Sequence, residues 1–152
     1  METRTNVLII GAGPFGLSLA AYAKYLGIDH LVVGRPMEFW KSKMPQGMYL
    51  RSASDWSLDP TDQFSIVKYL EFLGKSPKDV EPLSRDFYLE YCQWFQDGSE
   101  IKTNPLYVKK LDQVNGGFHA TLENDDVIAA KHVVVAIGMG YFKNQPSTVT
   151  EI

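Results

Sequence analysis

The hexapeptide Gly11-Ala12-Gly13-Pro14-Phe15-Gly16 is where residue types and spacing in this 152-residue sequence point most directly to chemistry. It fits the pattern G-x-G-x-x-G and stands between an aliphatic run, Val7-Leu8-Ile9-Ile10, and a segment with helical character. In that context each glycine has a separate task. Gly11 permits a tight turn, Gly13 lets backbone approach a pyrophosphate, and Gly16 lets the helix lie close on the strand. The helix start, with Pro14 and Phe15 in its first turn, offers unpaired N–H groups and a positive dipole end to phosphate. The chemistry expected is dinucleotide binding.

The same fingerprint asks for an acid about 20 residues on, at the end of the second strand, to hold a ribose diol. Gly34 occupies that place, followed by Arg35. Glu38 has roughly suitable spacing, yet Pro36 separates it from the strand end. Losing charge-assisted hydrogen bonds costs about 1.5–3 kcal/mol each, enough to weaken binding severely unless backbone groups compensate. Arg35 suits a 2′-phosphate instead, which favours NADP. The turn predicts a dinucleotide without saying which one.

Elements must position these residues. The sequence predicts a strand over Asn6–Ile10, apolar on both faces as in a parallel sheet, then a helix over Pro14–Leu26 stopped by Gly27. A second buried strand, His30–Val33, completes a βαβ unit. Residues 34–62 read as irregular, punctuated by Pro36, Pro45, Gly47 and Pro60, and so long a connection points to a functional role. Helices are expected over Ser65–Leu73 and Arg85–Gln96, the second capped by Ser84. Short strands Leu106–Leu111, Phe118–Leu122 and Val127–Ala130 form an antiparallel meander, turned at Asn115–Gly117 and Asn124–Asp126. The chain then returns to a buried run, Val133–Ile137, stopped by Gly138. The fold class expected is α/β: a Rossmann-like parallel sheet with a small antiparallel meander and a helical insertion, in one domain spanning 1–152.

Other chemistry is mostly excluded. Gly74-Lys75-Ser76 imitates the end of a P-loop, but Tyr69 stands where that motif needs glycine. His30, His119 and His132 show no metal-ligand spacing, so no metal is expected. Cys92 lies among helix aromatics as a packed thiol, and alone it excludes a disulfide framework. Tyr88, Tyr91, Trp94 and Phe95 read as core, and Asp125-Asp126 as a turn pair. No catalytic residue is identified. Fifteen basic and eighteen acidic residues leave a net charge of −3 and no basic field for nucleic acid. No run approaches the roughly 20 apolar residues of a membrane span. Four apolar residues before Gly11 are too few for a signal-peptide core, so a cytoplasmic protein is expected.

Three segments together resemble the N-terminal FAD-binding part of flavin-dependent monooxygenases and related FAD/NAD(P)-binding oxidoreductases. They are Gly11–Gly16, Glu38-Phe39-Trp40 through Met44–Ser52, and Ala136-Ile137-Gly138 with Pro146, and the resemblance runs from about Asn6 to Pro146. It implies FAD as cofactor, with NADP as alternative or as co-substrate of a complete enzyme. It further implies that Trp40, Met44, Leu50, Arg51 and Ser52 line the flavin side, that Val108 meets adenine through its backbone, and that Gly138 approaches the pyrophosphate. The alternative, read from residue type alone, is that Trp40 and Met44 belong to the core and Arg51 is a solvated charge. By the same resemblance a second G-x-G-x-x-G and a late Gly-Asp segment should follow. Neither occurs in the sequence, so the expectation is a partial form that is inactive by itself. A non-enzymatic NAD(P)-binding module is the alternative, and a homo-oligomer or a second chain supplying the other half is the expected partner.

Overall fold

The computed structural model describes residues 2–140. Pro146, the last residue of the third segment, lies outside them. Six strands form one sheet in the order β3-β2-β1-β6-β5-β4: β1 Glu2–Ile10, β2 His30–Val33, β3 Thr103–Asn104, β4 Val108–Val114, β5 Gly117–Leu122 and β6 Val127–Val135. β1 pairs in parallel with both β2 and β6, and β3 joins β2 in parallel, while β5 is antiparallel to both its neighbours, β4 and β6. This is the expected mixed α/β sheet.

The aliphatic run of β1 is buried on both faces because each face has its own cover. Ile9 and Val32 pack with the helices α1 (Pro14–Tyr25), α3 (Ile66–Leu73) and α4 (Arg85–Gly98), through Leu17, Leu70, Tyr91 and Phe95. Leu8 and Val33, one residue out of phase, pack with Ala120, Leu122, Ile128 and Ala130 of the meander. Successive residues of a strand point to opposite faces, so one uninterrupted apolar run feeds two cores.

Two expectations need correction. The meander's third strand and the returning buried run are a single strand, β6, whose first half pairs with β5 while its whole length runs beside β1. Exposed Lys131 and His132 break the apolar pattern at its middle, but backbone pairing continues through them. Its end is not buried: Val134 and Val135 are 39% and 58% exposed, since β5 pairs only with residues 127–130. The irregular stretch also contains a short helix, α2 (Glu38–Ser42), and a 3₁₀ turn follows α3 at Pro77–Asp79.

The remaining long connection is held by polar ties to the segment before α4. The Leu50 N–H donates to the Leu83 carbonyl at 2.8 Å, and the Arg85 N–H to that of Met48 at 2.8 Å. Buried Arg85 donates from Nη1 to the Met44 carbonyl at 2.8 Å while gripping Asp86. The Ser54 N–H and hydroxyl both donate to Glu81, at 2.8 and 2.7 Å. Asp59 closes the next turn by accepting from Thr61 and from the Phe64 N–H. Burial pushes the Asp59 carboxyl up, but these bonds, with others from the backbone, outweigh it and hold it below its ordinary value.

Candidate functional site

The glycine turn sits where the parallel strands end. Its geometry assigns each glycine a distinct constraint. Gly11 has φ +114, and a Cβ there would stand 2.3 Å from the Ala136 carbonyl oxygen just after β6. A Cβ on Gly16 would stand 1.9 Å from the Gly11 carbonyl oxygen, so only glycine lets α1 approach this closely. Gly13 is different. Nothing lies within 4 Å of its hypothetical Cβ, and it caps α1 without a side-chain hydrogen bond. The helix start is therefore open to a ligand on the side where a pyrophosphate would lie, and its first N–H groups have no capping side chain.

The glycine turn, the start of α2 and the chain just after β6 lie together here, whereas the Met44–Ser52 stretch is tied to the helical side. Gly11 touches Ala136, as above. The Met37 N–H donates to the Ala12 carbonyl at 2.9 Å, which fastens the start of α2 to the glycine turn. A Cβ on Gly140 would stand 3.6 Å from the Phe39 ring, so the chain after β6 passes beside α2. Gly138, at φ +68, has open space around it like Gly13. Phe15 is 85% exposed on the rim of this opening.

The other expected residues are placed as follows. Trp40 is half-buried and packs on Tyr88, ring centroids 4.9 Å apart, against the helical core. Leu50 packs against the same core. Met44 is half-buried and its carbonyl serves Arg85. Arg51 is exposed and Ser52 half-buried, and among the described residues no hydrogen bond joins either to the glycine turn. Val108 opens β4 opposite Leu122.

Arg35 is tied locally. Its Nη1 donates to Glu38 at 3.3 Å, and its guanidinium lies over the Tyr107 ring at 4.8 Å. The Tyr107 hydroxyl donates to the other oxygen of Glu38. Pro36 separates Glu38 from the strand end in sequence, and no local pattern marks Tyr107. Met37 reverses the chain there in a left-handed conformation (φ 54, ψ 24), which returns Glu38 to the strand end. The usable signal is an acid four residues past Gly34.

The residues refused as chemistry are accounted for structurally. Gly74 is the left-handed C-cap of α3, and Ser76 caps the 3₁₀ turn. Cys92 is buried, and burial pushes its thiol up to about 12. Burial likewise pushes the Tyr91 hydroxyl up to about 12, and that hydroxyl accepts from the Leu58 N–H and donates to the Phe64 carbonyl. Among the described residues no helix is long and apolar enough to cross a membrane.

Comparison with known proteins agrees with this geometry. Residues 4–54 match the family model described as an FAD binding domain, which spans β1, the glycine turn, β2 and α2 and indicates FAD. No curated protein sequence matches the chain. Among solved structures, bacillithiol disulfide reductase Bdr from Staphylococcus aureus is 28% identical with a TM-score of 0.69, over 90% of this chain and 39% of the reductase. A flavin-containing monooxygenase from Stenotrophomonas maltophilia is 19% identical with a TM-score of 0.69, over 88% of this chain and 38% of that one. A steroid monooxygenase solved with NADP is 18% identical with a TM-score of 0.73, over 95% of this chain and 28% of that enzyme. The chain thus spans well under half the length of these proteins. Its glycine turn, its sheet order and these likenesses identify a Rossmann-like fold of the FAD/NAD(P)-binding oxidoreductases, with an FAD-binding-domain match across the turn.

Proposed function

We propose that this chain is the FAD-binding portion of a flavin-dependent, monooxygenase-like oxidoreductase whose NAD(P)H-binding portion is supplied outside these 152 residues. The observation that carries the reading is the contrast within the glycine turn. Gly11 and Gly16 are closed against protein atoms, whereas Gly13 and Gly138 face empty space at the mouth of the sheet. A dinucleotide's pyrophosphate fits such a cradle, next to a helix start that has no cap of its own.

When bound, the flavin would supply the redox chemistry, and the protein's part is to hold and orient it. Gly13 and the first turn of α1 would take the pyrophosphate, with Gly138 facing it. Trp40, Met44, Leu50, Arg51 and Ser52 are proposed for the flavin side, and Val108 for adenine. A thiol-based reaction on this chain is not supported, because Cys92 is its single cysteine and is buried with a raised pKa. We also propose a cytoplasmic setting and a polypeptide partner, either a second copy or a further chain. Exposed Phe15, Val135 and Met139 around the mouth of the sheet support a covering surface there.

The test is the near-ultraviolet and visible absorbance spectrum of the purified protein, followed by heat release and identification of any ligand. Flavin bands with released FAD, or flavin uptake on titration, are the expected result. A colourless protein that takes up no added FAD would overturn the reading, and uptake of NAD(P) by that protein would favour the non-enzymatic module.

A further inference from the structure

We infer that Glu38 is the acceptor for the adenosine ribose diol of the bound dinucleotide, replacing from α2 the acid that the end of β2 lacks. Tyr107 and Arg35 position it. The inference rests on the dinucleotide reading above and deepens it by naming the ribose subsite.

The strand end itself is closed to any side chain. Gly34 is buried at φ +128, and a Cβ there would stand 3.1 Å from the Ala12 nitrogen in the glycine turn. An acid at that position would be strained in backbone and crowded against the turn. The chain places its carboxylate four residues later instead. The Gly34 N–H donates to the Asn104 carbonyl at 2.8 Å and the Met37 N–H to the Ala12 carbonyl at 2.9 Å, so both ends of the loop are fastened. Glu38 follows Met37 directly and begins α2, beside the turn that would hold the pyrophosphate.

The carboxylate is also held in orientation. Arg35 donates to Oε1 at 3.3 Å, and the Tyr107 hydroxyl donates to Oε2. Tyr107 is itself anchored to Glu123, donating from its N–H at 3.3 Å and accepting from the Glu123 N–H at 2.9 Å. A carboxylate offers about four acceptor sites, and these two bonds use half of them. Two hydroxyl donors on adjacent carbons, the 2′ and 3′ groups of a ribose, match the remaining pair. Tyr107 precedes Val108, so the subsite adjoins the position proposed for adenine.

The arrangement has a consequence for selectivity. The positive charge of Arg35, which in sequence suited a 2′-phosphate, is already partnered by Glu38. A 2′-phosphate would face that carboxylate, and like charges at contact disfavour binding. The site therefore takes an unphosphorylated adenosine ribose, as FAD and ADP carry.

The test is calorimetric titration of the full chain and its Glu38→Gln and Tyr107→Phe variants with FAD, ADP and 2′,3′-dideoxy-ADP. Glu38→Gln is expected to lose about ten- to a hundredfold in affinity for FAD and ADP, the effect of weakening charge-assisted hydrogen bonds. It should lose nothing for the dideoxy compound, which has no diol to present. Tyr107→Phe should show the same pattern with a smaller loss, because it acts through Glu38. Equal FAD affinity in Glu38→Gln and the parent overturns the inference while leaving the flavin reading intact. An equal loss for ADP and dideoxy-ADP also overturns it, since the residue would then act through the fold. A parent protein that binds neither FAD nor ADP overturns the flavin reading and the subsite together.

Discussion

A Cβ on Gly16 would stand 1.9 Å from the carbonyl oxygen of Gly11, so the first turn of α1 and the end of β1 are in contact through backbone alone. No side-chain rotation can relieve such a clash, and α1 would have to move off the sheet. Gly16→Ala should therefore lose about 3 kcal/mol, at the upper end of overpacking costs. In a domain of this length that lowers Tm by about 6–12 °C, readable by circular dichroism. An unchanged Tm would show that α1 does not pack this closely.

Gly13→Ala should behave in the opposite way. Gly13 has ordinary backbone angles (φ −79, ψ −172) and open space about its Cβ position. Alanine there should leave stability unchanged or raise it by about 0.4–1 kcal/mol, by restricting the unfolded chain. The added methyl would fill the place a pyrophosphate needs, so FAD affinity should fall steeply in a protein whose Tm is intact. Full FAD affinity in Gly13→Ala would remove the phosphate from this position.

Asp59 makes stability depend on acid. Its folded-state carboxyl lies below its ordinary value, because hydrogen bonds from Thr61, Phe64 and Gln63 outweigh the opposing effect of burial. A depressed carboxyl contributes stability that is fully present above the unfolded value, about 3.9, and is lost as pH falls through the folded value. Asp59→Asn should be less stable at neutral pH by about 1–3 kcal/mol. Its urea midpoint should also fall less steeply than the parent's below about pH 4. Parallel acid profiles for the two proteins would exclude this role.

Cys92 should resist alkylation. It is 2% exposed, and burial pushes its thiol up to about 12, so thiolate is scarce at neutral pH and access is closed. Iodoacetamide should leave the native protein unmodified by mass spectrometry over a period in which the urea-unfolded chain reacts fully. Rapid labelling of the native protein would mean that α4 opens locally.

The dinucleotide turn, the doubly buried strand and the aromatic core of α4 were legible in the sequence because each is a local pattern. Gly11, Gly13 and Gly16 announce themselves by spacing. Ile9 beside Leu8 requires cover on both faces. Tyr88, Tyr91, Cys92 and Phe95 fall on the buried side of one helix. The end of β6 differs from expectation for a related reason: aliphatic composition indicates that a strand forms, but exposure of Val134 and Val135 depends on how far the neighbouring strand β5 extends.

The sequence by itself determined the opening strand–helix–strand unit, the parallel centre of the sheet and a glycine turn at the helix start, since propensity, periodicity and glycine placement act over a few residues. Tertiary structure alone decided where Glu38 stands. A left-handed residue at Met37, a backbone bond to Ala12 and a hydroxyl from Tyr107, 69 positions away, bring that carboxylate to the strand end. It likewise placed Trp40 on Tyr88 and tied Met44 to Arg85. Contacts between residues so far apart in the chain follow from how the layers pack, and no local pattern encodes them.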